Sequence, residues 1–271
     1  MYTYMIQPCR ELSPYVERYW GWKSLGNITL PVLLPGTGME MIFHVGSPFG
    51  IGSRGEVFLQ ASSAHLLCVR SRPYCLQMDG PLDFLAIRFR AGAFRHFCKI
   101  PLKELCDTTY RIETVWGKSG RELAQRIQEA PSCRSRIEWI ETYLLQSLSK
   151  WGHHKSHVDI AVRQLYYQHE SIQIQSLSQR MRMSRRHFER TFQAAIGITP
   201  KIFQRLSRFQ QTVRELLLTK TTDYLPVALA HGYYDQSHFI REFQKFVQET
   251  PSSFLSLRNF LSHFYNTKSP S

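Results

Sequence analysis

The chain has 271 residues, of which 43% are hydrophobic and 20% are charged, so it is long enough for two domains of ordinary size with apolar cores. Its formal net charge of +13 predicts attraction to nucleic acid, anionic membranes or acidic partners. No run approaches the roughly 18 apolar residues that a membrane span requires, and the first residues do not resemble a signal peptide, so we expect a cytoplasmic protein without membrane association.

The first 90 residues consist of short apolar runs separated by turn-forming residues. Runs such as 39–46 (MEMIFHVG) and 84–89 (FLAIRF) are bounded by Gly, Pro, Ser or Asp, which is typical of strands. Similar runs lie at 30–35, 57–61, 65–70 and 74–78. They predict a small β-sandwich or barrel. After residue 90 the period becomes helical, and helices are predicted near 91–98, 119–129 and 134–149.

Six cysteines are scattered through the first half without a C-x-x-C pair, which disfavours a disulfide scaffold. They are Cys9, Cys68, Cys75, Cys98, Cys106 and Cys133. We expect reduced, mostly buried thiols, and a redox or metal role is the alternative.

The polar segment 151–156 is interpreted as a linker between two domains. Its histidines, His153 and His154, together with His157 offer metal-binding nitrogens, but no cysteine or carboxylate accompanies them closely. A solvated linker is therefore the favoured interpretation. The predicted domains are 1–150 and 157–262, followed by a tail at 263–271.

The region beyond residue 157 is predicted to be helical and contains an internal repeat. Residues 184–207 align with 235–258 at an offset of 51, with nine identities in 24 positions, which indicates one supersecondary unit used twice. The region from 151 onward also holds 16 Lys and Arg against 8 Asp and Glu, compared with 18 against 13 in residues 1–150. The shorter half therefore carries more of the positive charge.

Each copy has its own helix-start signals. Ser184 and Asp235 are predicted to cap the second helix of their units, and Thr-Pro pairs at 199–200 and 250–251 are predicted to open a third helix. Ser176 followed by Gln179 predicts a capping box for the first helix of the first copy. The corresponding helix of the second copy is predicted to open at Pro226 and to end at Gly232.

The second helix of each copy divides into an apolar and a polar face at 100° per residue. The residues predicted to point inward are Phe188, Phe192, Ala195 and Ile196, and Phe239, Phe243, Phe246 and Val247. The outward faces carry side chains suited to guanine, adenine and the thymine methyl group. The predicted DNA-contacting residues are Arg185, Arg186, Glu189, Arg190, Gln193, Gln236, Ser237, Ile240, Arg241 and Gln244. Five arginines lie within 180–190 with a single acid, and a phosphate backbone would neutralise them. A solvated charged face is the alternative.

With these motifs, residues 157–260 resemble the AraC-type (arabinose-regulator) family of bacterial transcription regulators, most strongly in VALAHGYYDQSHFIREFQKFVQETP. The resemblance implies two helix-turn-helix units joined by a long helix near 200–219, with both recognition helices in successive major grooves of promoter DNA. It also implies RNA polymerase as a partner. The base-reading positions that it implies are Arg186, Glu189 and Arg190, and Gln236, Ser237 and Arg241. The chain departs from the family pattern at Gln248, where Gly is usual, and at Pro226, where an acid is common.

The amino-terminal half resembles the sensor-like domain of some of these regulators in SPYVERYWGW, LPGTGMEMIFHVG, FLAIRFRAGAF and VWGKSGRELAQRI. This resemblance implies a cupin-like β fold with trailing helices that binds a small-molecule effector, forms a homodimer, or both. The predicted fold class is therefore α+β: a cupin-like β-sandwich or barrel with trailing helices, followed by an all-α domain with two helix-turn-helix units.

Three other functions are weighed against DNA-dependent regulation. A metal enzyme needs converging ligands, whereas His44, His65 and His96 are isolated in sequence. A DNA-repair alkyltransferase would need a Pro-Cys-His-Arg nucleophile or a four-cysteine zinc cluster, and neither motif is present. A nonspecific nucleic-acid binder would give a sequence-independent footprint that is lost at moderate salt. We expect no catalytic residues, no metal and no cofactor.

Overall fold

The computed structural model describes residues 2–26, 30–52, 63–78, 80–151, 157–221 and 223–255. The predicted strand 57–61, residues 152–156 of the predicted linker and the predicted tail 263–271 lie outside these ranges. Among the described residues no helix is both long enough and apolar enough to cross a bilayer.

The strands and helices follow one another in two groups. The strands are β1 (Tyr2–Ile6), β2 (Val16–Ser24), β3 (Glu40–His44), β4 (Gly50–Gly52), β5 (Ala64–Leu67), β6 (Cys75–Gln77), β7 (Leu82–Phe89) and β8 (Thr109–Arg111). The helices are α1 (Ile112–Glu129), α2 (Cys133–Trp151), α3 (His157–Tyr167), α4 (Ile174–Arg180), α5 (Arg185–Ile196), α6 (Pro200–Thr219), α7 (Leu225–Ala230), α8 (Gln236–Val247) and α9 (Pro251–Phe254). The order confirms the α+β class.

Six strands form one antiparallel sheet in the order β1-β2-β7-β3-β5-β8, and β4 pairs with β6 in a second, two-stranded sheet. The central strands are buried on both faces. Leu85 and Ile87 of β7 pack in a cluster that includes Trp116 and Leu123 of α1. The intervening residues of these strands pack in a second cluster that includes Ile51 of β4. Helices therefore cover one face of the large sheet, and the small sheet covers the other.

The amino-terminal predictions are partly wrong. The run 30–35 makes only an isolated bridge, from Leu33 to Tyr74, because its two prolines cannot donate ladder hydrogen bonds. The predicted helix 91–98 is a single 3-10 turn, Ala93–His96. The next helix begins at Ile112, seven residues before the predicted start. Strands β1, β2, β4 and β8 were not predicted.

The carboxy-terminal half contains the two predicted helix-turn-helix units. The first consists of α4, a turn and α5, and the second of α7, a turn and α8, with α6 between them. The predicted capping box at Ser176 is wrong, because α4 begins two residues earlier, at Ile174, after Gln173, whose side chain makes no capping hydrogen bond. Pro226 lies in the first turn of α7 as predicted, and Gly232 follows that helix with a left-handed φ of 81°.

Candidate nucleic-acid interface

The second helix of the first unit, α5, starts where its sequence predicts. The side chain of Ser184 accepts a hydrogen bond from the backbone N–H of His187 at 3.3 Å, which satisfies one of the free donors at the helix start. At the other end Gly197 adopts a φ of 93°, the left-handed conformation that glycine tolerates best. The predicted cap at Ser184 is confirmed.

The two faces of α5 separate as predicted. Phe188, Phe192 and Ile196 are buried in a cluster that includes Leu177 of α4, whereas Ala195 is only half-buried. The predicted contact residues Arg185, Arg186, Arg190 and Gln193 are exposed, and Glu189 is half-buried. Three of these residues have a partner within the helix. The Nε of Arg185 lies 2.9 Å from the Oε1 of Glu189, and the Nη2 of Arg190 lies 3.5 Å from the Nδ1 of His187.

The second unit repeats this arrangement on α8. The Asp235 carboxylate accepts from the backbone N–H of His238 at 2.6 Å, so this predicted cap is also confirmed. All four predicted inward residues of α8 are buried. Of its predicted contact residues, Gln236, Ser237, Arg241 and Gln244 are exposed and Ile240 is half-buried. The helix ends at Gln248, which has a left-handed φ of 63° where the first unit has glycine.

The connecting helix α6 holds α8 through a buried carboxylate. Glu242 accepts hydrogen bonds from Arg205 and Arg208 of α6, both at 2.7 Å. Burial alone would raise the pKa of this carboxyl, but the two guanidinium groups outweigh burial and hold the pKa below its ordinary value. The ionised Glu242 therefore fixes the recognition helix of the second unit on the connecting helix.

A histidine pair joins the segment between α3 and α4 to the end of α7 in the second unit. The Nε2 of His169, just after α3, lies 3.2 Å from the Nδ1 of His231 at the end of α7. The Nε2 of His231 lies 3.0 Å from a carboxylate oxygen of Glu215 on α6. Burial lowers the pKa of His169, so its imidazole is neutral at pH 7 and can share a proton with its neighbour.

A cleft of about 610 Å³ opens between α6 and α8. Its lining includes five cations and two acids. The cations are Lys201, Arg205, Arg208, Arg241 and Lys245. Only Arg241 among them was predicted to contact DNA. The spacing of basic residues at positions 201, 205 and 208, on one face of a helix, is the sequence signal that could have identified the others.

The amino-terminal half contacts both the first unit and α6. A Cβ atom at Gly197 would lie 2.6 Å from the carbonyl oxygen of Leu102 and 2.6 Å from the Sγ of Cys106. On α6, the side chain of Gln210 accepts hydrogen bonds from the backbone and the hydroxyl of Thr37. The carboxy-terminal end of the recognition helix α5 is therefore packed against the amino-terminal half, while the exposed residues near its start face solvent.

The sequence suggested that His44, His65 and His96 are isolated, but two of them are in contact in the structure. His44 Nε2 lies 3.1 Å from His65 Nδ1, and both side chains are buried. Burial lowers the pKa of His44 to about 4 and that of His65 well below its ordinary value. His96 lies elsewhere, beside Asp159. Within the described residues no three His, Cys, Asp or Glu side chains come together as metal ligands.

The cysteines form no disulfide, and of the three histidines at the linker only His157 lies within the described residues. All six cysteines are unpaired: Cys68 and Cys98 are buried and the other four are half-buried. Burial raises the pKa of the Cys106 thiol to about 11, so it is protonated at pH 7 and a poor nucleophile. His157 is exposed at the start of α3, and His153 and His154 lie outside the described residues.

Two protein families match parts of the chain. Residues 177–256 match a family described as a helix-turn-helix domain, and residues 4–111 match a family described as a domain of unknown function. The first match covers both units, from α4 to α9, and confirms the predicted helix-turn-helix region.

Individual relatives agree with this assignment. An uncharacterized HTH-type transcriptional regulator of Haemophilus influenzae is 35% identical over 81 residues, which cover 30% of this chain and 27% of that protein. A solved structure of ToxT from Vibrio cholerae superposes with a TM-score of 0.52 at 11% identity, over 87% of this chain and 97% of that one. The likeness to ToxT concerns the fold, and it extends over both halves of the chain.

Proposed function

We propose that this chain, whose residues 177–256 match a helix-turn-helix domain family, is a sequence-specific and effector-responsive transcription regulator of the AraC type. One observation carries the proposal. Two capped helices, α5 and α8, each bury an apolar face and leave Arg and Gln side chains exposed on the other. Such faces fit the major groove, where Arg pairs with guanine and Gln with adenine.

The proposed DNA contacts are the ten residues that the sequence predicts. Arg186 and Arg190 on α5 and Arg241 on α8 are exposed, and none of them forms an ion pair with another residue that the structure describes. Arg185 and Glu189 pair with each other. We assign Arg185 to a phosphate contact and Glu189 to cytosine, because a carboxylate can accept a hydrogen bond from the cytosine amino group. The remaining proposed contacts are Gln193, Gln236, Ser237, Ile240 and Gln244.

The proposed partner is double-stranded promoter DNA, with each unit in one of two successive major-groove segments about one helical turn apart. All five arginines between positions 180 and 190 are exposed, which supports a strong electrostatic contribution from the first unit. The second unit, with fewer charges on its outward face, is assigned more of the sequence selectivity. RNA polymerase is the proposed protein partner.

The amino-terminal half is proposed to regulate this contact, as a domain of residues 1–150 that binds a small molecule, forms a homodimer, or both. The supporting observation is its direct contact with α5 and α6, through Gly197 and Gln210. A ligand that binds this half more tightly in one arrangement shifts the population of DNA-competent molecules. The domain of residues 157–262 responds because its connecting helix is held by the first domain.

The proposal is tested by selecting bound sites from random double-stranded DNA with the full-length protein. The expected result is an enriched motif of two short blocks whose centres lie roughly 10 base pairs apart. The block spacing and any symmetry give the number of chains bound. An enrichment indistinguishable from the input library, with binding that disappears at moderate salt, would identify a nonspecific nucleic-acid binder instead.

A further inference from the structure

The cleft between α6 and α8 concentrates five cations, of which only Arg241 belongs to the proposed base contacts. Lys201 lies on its α6 side, and Arg241 and Lys245 lie on its α8 side. Like charges that face one another across a cleft repel, so this arrangement costs free energy unless an anion enters.

The acids of the cleft neutralise only part of this charge. Glu242 is occupied by Arg205 and Arg208, which bind its two oxygens separately. Glu170, the other acid, is exposed, and it lies 3.7 Å from the ring of His169. Within the described part of the chain neither acid forms an ion pair with Lys201, Arg241 or Lys245. Three cations therefore remain available to a ligand.

The shape and position of the cleft favour a backbone phosphate as this ligand. The cleft is open to solvent and is lined mainly by charged and amide side chains, so a strongly hydrated anion can enter without full desolvation. It also lies between the segment that connects α3 to the first unit, at His169 and Glu170, and the recognition helix of the second unit. A DNA duplex bound by both helices must pass its backbone across this gap.

We propose that this cleft binds phosphodiester groups of the DNA strand that crosses between the two major-groove segments, with Lys201 and Lys245 as the principal ligands. The inference rests on the proposed function and adds a site to it. Binding of the DNA backbone in this cleft would fix the positions of the two units relative to each other along the duplex. Arg241, at the border of the cleft and the outward face, is shared between phosphate and base.

The test compares the full-length protein with the double variant Lys201→Gln/Lys245→Gln in DNA-binding titrations at several salt concentrations. Each lost phosphate contact should reduce the slope of log affinity against log salt by about 0.9, so we expect a reduction of about 1.8. Between 50 and 200 mM salt the wild type should then lose about tenfold more affinity than the variant. The selected motif should not change, because the lost contacts carry no sequence information.

Lys118→Gln is the matched control, since Lys118 is an exposed lysine of α1 that is remote in sequence from both units. Its salt slope should equal that of the wild type. An unchanged slope in the double variant would overturn the phosphate site while leaving the proposed function intact, provided the wild type still selects a motif. If the wild type enriches no sequence motif from random DNA, the proposed function itself is overturned.

A second arm separates the DNA backbone from a free anion as the source of the phosphate. Inorganic phosphate is titrated into the DNA-free protein and its double variant, and binding is followed by calorimetry. The expected result is weak, unsaturated binding to both proteins in the millimolar range. Saturable binding that the double variant loses, together with an unchanged DNA salt slope, would make the cleft a site for a free anion and would contradict our proposal.

Discussion

Gln210 on the connecting helix accepts two hydrogen bonds from Thr37 in the amino-terminal half, from the backbone N–H at 3.2 Å and from the hydroxyl at 3.3 Å. Both side chains are almost completely buried, with 5% and 1% of their surface exposed. This polar contact between the two halves is therefore shielded from water. A donor left unpaired in such a buried place costs free energy.

Replacing Gln210 with Leu should lower the free energy of unfolding by about 1 to 3 kcal/mol, because two buried donors of Thr37 lose their acceptor. Thr37→Val removes only the hydroxyl bond and keeps the backbone one, so its cost should be at most about 1 kcal/mol. Urea unfolding of the full-length protein measures both values. Equal losses in the two variants would contradict the role of Gln210 as a shared acceptor.

Glu242→Gln should destabilise the packing of α8 on α6. The variant leaves Arg205 and Arg208 near a neutral amide, and since both guanidinium groups are partly exposed we expect a loss of about 1 to 3 kcal/mol. Glu189→Gln, which removes the half-buried partner of the exposed Arg185, is the control and should cost at most about 0.5 kcal/mol. The midpoints of urea unfolding give the comparison, provided the dependence of the unfolding free energy on urea concentration is the same in all variants. A Glu242 variant as stable as the control would show that the ion pairs contribute little.

The buried pair His44 and His65 should make the protein sensitive to mild acid. The folded-state pKa of His44 is about 4, below its ordinary value of 6.5, so the unfolded chain binds more protons between these values. The stability that depends on the neutral imidazole is complete above about pH 6.5 and is lost as the pH falls toward 4. His44 alone should contribute roughly 3 kcal/mol of this loss.

The measurement is the unfolding free energy between pH 7 and 4.5 for the wild type and for His44→Gln/His65→Gln. The double variant should have a clearly shallower pH dependence, whatever its absolute stability. His169 keeps a residual slope, because burial lowers its pKa too. The carboxyls of Glu17 and Glu242 have lowered pKa values, so their contribution is lost only below this range. Parallel curves would rule out the histidine pair as the acid-sensitive element.

The two recognition helices should respond oppositely to changes at their left-handed ends. Gln248→Gly should stabilise the protein by up to about 1 kcal/mol, because glycine adopts a positive φ without steric cost. Gly197→Ala should destabilise it by roughly 2 kcal/mol or more, since the new Cβ meets the Leu102 carbonyl in addition to the unfavourable φ. Thermal unfolding gives the direction of each shift, and a tolerated alanine at 197 would contradict the close approach.

Arg190→Ala and Arg241→Ala should each lower affinity for the selected site by about 1 to 3 kcal/mol and relax the preference at one base position. Arg134→Ala, which removes an exposed arginine of α2 with an i,i+4 partner, controls for the loss of a positive charge. Quantitative footprinting on the selected site and on single-base variants measures both effects. A well-folded double variant with unchanged specific binding would remove these residues from the interface.

The carboxy-terminal half could be predicted closely because its signals are local. Side-chain caps at Ser184, Thr199, Asp235 and Thr250 act within three residues, so the sequence pattern determines where each helix begins. The same reasoning failed at Ser176, because α4 has no side-chain cap and is positioned by the burial of Leu177. Packing against the rest of the molecule decided that boundary.

The amino-terminal half was harder to predict because its strands are stabilised by partners far along the chain. The residues of β2 pair with residues of β7 that lie 58 to 73 positions later. The segment VERYWGWKS of β2 has no strict polar-apolar alternation, since both faces are buried. The contact of His44 with His65 arises from the pairing of β3 with β5. The cationic cleft likewise depends on how α8 crosses α6, which neither helix encodes alone.

The apolar cluster that holds Met39 and Ile87 of the amino-terminal half also holds Phe209 of α6 and Phe243 of α8. The two halves of the protein therefore share one hydrophobic core, whereas separate domains normally each have their own. Such a molecule should unfold in a single cooperative transition. It is also a poor donor for chimaeras, because grafting its DNA-binding part onto another sensor would leave the amino-terminal face of α6 uncovered and prone to aggregation.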